Sequence, residues 1–276
     1  MNPSADHPSL GLARYAETFA AFVRCSLEYD LIDAAIKEAV RQWPADYALL
    51  DVGAGTGKVI EALAKDFDRP PSAYFAYEPN PAHFNALKDA TTRLGLPRVV
   101  LSEDFFDEHT PLVDPVDLVL FSHSLYWMKD PAAVVIHALE RLRPGGLLLA
   151  ILQGPYGVHT LLKLFEPELG RSTPMLQNNA FSSHELVQAL RARGLEPNVT
   201  MLPTPLDVTE LFQPGGAKRR SEVLSFCLQI EFDSLAPQLK KDVINFIEGA
   251  SLLLDGRRLW YIPNALVTLT PQGLSD

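Results

Sequence analysis

Residues 47–57 read YALLDVGAGTG and run directly into KVIEALAKDF (58–67). A short apolar run that ends in three alternating glycines, followed by apolar residues at helical spacing, predicts strand, tight turn and helix. The same alternation continues downstream. AYFAYE (73–78), a helix over Pro81–Leu94, RVVLS (98–102), VDLVLFS (116–122), a helix over Pro131–Leu142 and GLLLAIL (146–152) follow in turn, with Gly145-Gly146 read as the turn into the last strand. Apolar strands separated by helices imply a parallel sheet covered on both faces. Two later strand-like stretches, LEPNVTMLP (195–203) and LVTLTP (266–271), pair at its edge and complete a doubly wound, mostly parallel seven-stranded α/β sheet.

Working outward, Tyr15–Val40 carries apolar residues at helical spacing and is read as helix with one interruption. Beyond Gln153 the rhythm changes, with Pro or Gly at 154, 155, 157, 167, 170 and 174 around a short helical stretch near Leu161. Ser182 and Glu185 form a capping-box pattern, and Gly194 stands where a helix-terminating glycine belongs, so residues 183–193 are predicted helical. The stretch 236–248 is amphipathic. Residues 1–154, 183–204 and 259–276 are assigned to the sheet domain, and 155–182 with 205–258 to a smaller, substrate-side lobe.

A formal net charge of -10 repels phosphate backbones, so no nucleic-acid partner is expected, and the basic run Lys218-Arg219-Arg220 is read as a solvated loop. Cys25 and Cys227 show no ligand spacing and are read as free thiols, as in a reducing compartment. No leader pattern and no run of about 18 apolar residues is present, so a cytoplasmic protein without a membrane partner is expected, as a monomer.

The glycines Gly53, Gly55 and Gly57 let backbone approach a ligand closely at the start of a helix, whose N–H groups face polar ligand atoms. A dinucleotide fingerprint would place its third glycine at position 58, which is Lys58 here. Asp51 two residues before Gly53, with G-x-G-x-G after it, resembles motif I of class I S-adenosylmethionine-dependent methyltransferases. That resemblance implies that the loop holds the methionine portion of S-adenosylmethionine. Glu78, 25 residues after Gly53, closes the second strand, where a carboxylate accepts the ribose hydroxyls. Asp104 or Glu103 then stands where this class contacts adenine, and Ser122 ends the fourth strand beside the cofactor.

Arg14-Tyr15-Ala-Glu17-Thr-Phe19, Cys25-Ser26-Leu27-Glu28, Leu125-Tyr126-Trp127-Met128-Lys129-Asp130 and Asn264-Ala-Leu-Val resemble, in that order, stretches of histamine N-methyltransferase. By this resemblance Glu28 binds the charged end of an amine, Asn264 contacts substrate, and Tyr15, Phe19 and Trp127 line its site. The chain departs from the pattern at Val158 and Leu162, where the family has tryptophans, at His123, where it has a glutamine, and at Trp127, where it has a tyrosine. The expected reaction is therefore metal-free methyl transfer to a nitrogen of a small amine or imidazole, with a rebuilt aromatic pocket. His123, after the fourth strand, is read as a base or as a group that positions substrate, because imidazole exchanges protons near neutral pH. An O-methyltransferase of a phenolic or carboxylate compound, and a non-catalytic S-adenosylmethionine-binding module, are the alternatives.

Overall fold

The computed structural model describes residues 10–41, 46–66, 68–111, 114–169 and 181–271. It divides into two compact units, one of Asp30–Leu152, Glu185–Thr200 and Ala265–Asp276, the other of Met1–Tyr29, Gln153–His184 and Met201–Asn264.

The first unit is built on a seven-stranded sheet. Its strands are β1 (Ala48–Val52), β2 (Ala73–Tyr77), β3 (Val99–Ser102), β4 (Val116–Ser122), β5 (Leu142–Gln153), β6 (Asn198–Leu202) and β10 (Asn264–Leu269). They lie in the order β3-β2-β1-β4-β5-β10-β6, and β3 through β5 pair in parallel. The order reverses direction between β1 and β4, and the crevice at the carboxyl ends of these two strands is where such sheets take ligands. β1 is buried along its whole length, and Leu118–Phe121 of β4 are fully buried, as strands covered on both faces require.

The helices follow local chemistry. Asn80 caps α4 (Pro81–Leu94) by accepting N–H bonds from Ala82 and His83, Pro81 holds the first helical position, and Gly95 ends the helix in left-handed backbone. Asp130 caps α5 (Pro131–Leu139) through Ala133 N–H. α8 spans Ser183–Arg191, and Ser182 Oγ accepts the His184 N–H at its start. Two details differ from the sequence reading. After Gly57, α3 (Lys58–Glu61) passes into a π turn at Ala62–Asp66, a change that apolar spacing over two turns does not register; Phe67, the last residue of the predicted helix, lies outside the described residues. Leu142 already belongs to β5, paired with Val116, so the strand begins ahead of Gly145-Gly146 and passes through them with a shift in register. The N-terminal helical stretch is interrupted once, as its reading expected: α1 (Leu12–Cys25) and α2 (Glu28–Arg41) are separated at Ser26-Leu27, where Ser26 is extended.

The second unit packs α1, α6 (Val158–Leu164), α7 (Glu166–Leu169), α9 (Ala217–Leu228) and α10 (Pro237–Gly249) with the antiparallel strands β7 (Pro205–Asp207), β8 (Ser251–Leu254) and β9 (Arg257–Tyr261). β8 and β9 are joined by Asp255-Gly256, both in left-handed backbone, the geometry of a two-residue hairpin. Its apolar core includes Phe22, Leu161, Leu162, Leu224, Val243 and Trp260. Gly170 and Pro174 of the Pro/Gly-rich stretch lie outside the described residues. Cys25 and Cys227 are free and buried, and burial pushes both thiols up.

Candidate functional site

The three glycines after β1 all take left-handed backbone, with φ of 76°, 58° and 85° at Gly53, Gly55 and Gly57. Their surroundings differ. A Cβ on Gly53 would stand 2.3 Å from Ser124 Cβ, and one on Gly57 would press within 3.1 Å of Leu87, whereas one on Gly55 would meet nothing within 4 Å. The outer glycines therefore let the loop close against the turn after β4 and against α4. The middle one faces open space, which is what close approach of a ligand to backbone requires.

Glu78 holds this loop in place. Its Oε2 accepts the Gly55 N–H at 2.8 Å and its Oε1 accepts the Asn80 N–H at 2.8 Å, while Tyr77 O accepts the N–H groups of Gly53 and Ala54. The carboxylate expected to meet ribose hydroxyls thus also ties the loop to the end of β2. Asp51 lies beneath, 1% exposed, and accepts the Tyr74 hydroxyl at 2.9 Å. Burial pushes its carboxyl up to about 7 and the nearby Glu78 charge adds to this, while the Tyr74 hydrogen bond opposes both.

Asp104 is exposed and accepts the Ser102 hydroxyl at 2.8 Å; Glu103 beside it is exposed too. The next residue, Phe105, is 72% exposed, whereas Phe106 is buried edge-on to Tyr77. Ser122 is half-buried at the end of β4, level with Ile151 of β5. His123 follows in left-handed backbone at φ 54°, uncommon for a residue with a side chain, and its N–H donates to Ile151 O at 2.9 Å. Its Nδ1 lies 3.3 Å from the Tyr126 hydroxyl, and its Nε2 is buried without a partner among the described residues. Trp127, in the same short 3₁₀ turn as Tyr126, is 40% exposed.

In the other unit, Asn264 Nδ2 donates to Glu28 Oε2 at 2.7 Å. Both side chains are buried, at 2% and 6% exposure, and they come from positions 236 residues apart. Asn264 is fixed from behind because its N–H donates to Thr204 Oγ1, which in turn donates to Ile262 O. Tyr15 and Phe19 stack one turn apart on α1 with centroids 6.2 Å apart, and Phe226 of α9 tilts against both at 5.6 and 5.4 Å. Val158 and Leu162 pack in the apolar core of this unit. The structure thus brings Glu28 to Asn264, Tyr15 to Phe19, and Glu78 to Gly55. Tyr74, Ser124 and Phe226 carried no signal in the sequence, because each acts through a partner distant along the chain. Among the described residues no group of three His, Cys, Asp or Glu side chains is placed to hold a metal, and no helix is long and apolar enough to cross a membrane.

Similar folds occur in solved structures. A putative methyltransferase from Bacillus halodurans is 17% identical with a TM-score of 0.57, over 86% of this chain and 97% of that one. The YcgJ protein from Bacillus subtilis is 15% identical with a TM-score of 0.54, over 86% and 96%. A Thermotoga maritima protein described as an S-adenosylmethionine-dependent methyltransferase, possible histamine N-methyltransferase, is 15% identical with a TM-score of 0.50, over 94% and 95%. No curated protein matches the chain at significant similarity. A family model described as "Methyltransferase domain" matches residues 23–200. Because that match spans more than half of the sequence and takes in the whole glycine crevice, the chain belongs to the methyltransferase-domain family, and S-adenosylmethionine is its cofactor.

Proposed function

We propose that this methyltransferase transfers the methyl group of S-adenosylmethionine to a nitrogen of a small amine or imidazole compound. The observation that carries the reading is the buried Glu28–Asn264 hydrogen bond. Among the described residues no Lys or Arg pairs with Glu28, and a buried carboxylate held by one neutral amide is costly unless a cation completes it. A substrate ammonium supplies that cation. The stacked faces of Tyr15, Phe19 and Phe226 suit the apolar part of such a ligand, and aromatic faces also attract cationic nitrogen.

The bound cofactor supplies an electrophilic methyl on a sulfonium. The chain's own residues would orient a second, neutral nitrogen in line with it, exclude water and pair the charged end with Glu28. No metal enters this chemistry, and dialysis against a chelator is expected to leave turnover unchanged. A strict magnesium requirement would contradict that.

Glu78→Ala removes the acceptor for both Gly55 N–H and Asn80 N–H as well as the ribose anchor. S-adenosylmethionine should bind about ten- to a hundredfold more weakly, given roughly 1.5–3 kcal/mol for a hydrogen bond to a charged group. Calorimetry on the folded variant checks this, and a change below twofold would contradict it.

Substrate class is tested by kcat/KM for histamine, larger imidazoles, aryl-alkylamines and phenols measured side by side. A larger imidazole or amine is expected to lead, because Val158 and Leu162 take the place of the family's indole walls. Histamine as the best substrate would overturn the rebuilt pocket. One observation favours O-methylation instead: the buried, unpartnered Nε2 of His123 suits a general base for a hydroxyl. Turnover of phenols alone, lost in His123→Ala, would establish that second reading.

A further inference from the structure

The Glu28–Asn264 hydrogen bond joins positions 236 residues apart, and one short stretch, Thr204-Pro205-Leu206, holds the chain on both sides of it. On the Glu28 side the ties are to backbone. Pro205 O accepts the Leu27 N–H at 3.1 Å, Ser26 bridges antiparallel to Leu206, and Ser26 Oγ accepts the Glu28 N–H at 3.2 Å. On the Asn264 side the tie is a side chain. Thr204 Oγ1 accepts the Asn264 N–H at 3.0 Å and donates to Ile262 O at 2.7 Å, while Thr204 O accepts the Ile262 N–H at 3.0 Å. Pro263, between Ile262 and Asn264, has no N–H to add. Thr204 and Leu206 are fully buried, so bulk water does not stand in for these bonds.

We propose that Thr204 is a positioning residue of the amine site: its hydroxyl, acting where a strand carbonyl would, sets Asn264 at the distance from Glu28 at which the pair receives a substrate ammonium. This rests on Glu28 receiving an amine. A hydroxyl donates one hydrogen and accepts through two lone pairs, and this one uses both roles. Valine has nearly the same shape and neither role. It leaves the Asn264 N–H and Ile262 O buried without their partner, and such an orphan is relieved by moving the chain or admitting water. Either change displaces Asn264 Nδ2 from Glu28 Oε2, a 2.7 Å hydrogen bond to a charged group whose strength depends on its geometry. The Glu28 side keeps its backbone ties to Pro205 and Leu206, so the pair opens from the Asn264 side.

The test is kcat and KM for the preferred amine, with S-adenosylmethionine affinity by calorimetry, in variants of the full chain. Thr204→Val should raise the amine KM about tenfold and change kcat and cofactor affinity less than about twofold. Thr204→Ser keeps the hydroxyl and should hold the amine KM within about twofold of the unsubstituted protein. Thr204→Cys, with a weaker donor and acceptor on a longer bond, should fall between the two, and it carries the test if Thr204→Val does not fold. A hydroxyl that only supports the fold has a different signature, with lower denaturant midpoints and KM, kcat and cofactor affinity either unchanged or worse together.

A double-mutant cycle with Asn264→Ala decides between the two. Once the Asn264 side chain is gone, Thr204→Val should add less than about twofold to the amine KM. An unchanged amine KM in Thr204→Val and Thr204→Cys, equal losses in KM, kcat and cofactor affinity, or an effect undiminished in the Asn264→Ala background would each overturn the proposal and leave amine binding at Glu28 standing. An amine KM indifferent to Glu28→Gln would instead remove the amine reading, and the role of Thr204 with it.

Discussion

Gly53→Ala and Gly55→Leu should fail in opposite ways. At Gly53 the new Cβ meets Ser124 Cβ at 2.3 Å, and left-handed backbone is itself unfavourable for a residue with a side chain. Overpacking of about 1–3 kcal/mol and a backbone cost of about 1–2 kcal/mol add to roughly 3 kcal/mol of lost stability. That is a large part of the roughly 5–15 kcal/mol that holds a domain folded. At Gly55 an added Cβ meets nothing within 4 Å, so the backbone cost of about 1–2 kcal/mol is the main one expected and the variant should stay folded. The leucine then occupies the space through which a ligand reaches the loop, and cofactor binding should fall by more than about a hundredfold, or roughly 3 kcal/mol. Denaturant midpoints and calorimetry on both variants separate the two effects. Equal destabilisation, or unchanged cofactor affinity in Gly55→Leu, would contradict this division of labour among the glycines.

Glu28→Gln should act on the amine alone. The glutamine keeps a carbonyl oxygen for Asn264 Nδ2, so the buried hydrogen bond survives and the fold is preserved. What is lost is the charge on one partner of a charge-assisted hydrogen bond, worth roughly 1.5–3 kcal/mol. KM for the preferred amine should rise about ten- to a hundredfold while S-adenosylmethionine affinity changes less than about twofold. If turnover of a neutral hydroxyl substrate proceeds unchanged and no amine responds to the substitution, nitrogen methylation loses its main support.

The parts legible in the sequence are those whose physics is local. YALLDVGAGTG announces its strand and its left-handed turn because only glycine adopts that backbone without cost. The boundaries of α4 are written in Asn80-Pro81 at one end and Gly95 at the other. Leu118–Phe121 of β4 form a continuous apolar run, as a strand segment buried on both faces must. Where two signals overlap, the reading slips. Gly145-Gly146 looks like a helix stop, yet the strand has already started at Leu142 because pairing with β4, not local propensity, decides it. The β8–β9 hairpin carried the Asp255-Gly256 signal, yet the boundary drawn between 258 and 259 cuts through β9 (Arg257–Tyr261). For the site, Gly55 and Glu78 were readable from spacing, and Glu28 and Asn264 only through family resemblance. The Tyr74 hydroxyl on Asp51, the Ser124 contact at Gly53 and the Phe226 face against Tyr15 are long-range contacts that no single segment encodes.

Supplying S-adenosylmethionine with a labelled methyl group to a mixture of amines, imidazoles and phenols, and locating the label in the products by mass spectrometry and nuclear magnetic resonance, tests nitrogen methylation most directly. The label should appear on a nitrogen, with stoichiometric S-adenosylhomocysteine. Label found on oxygen alone would contradict the account.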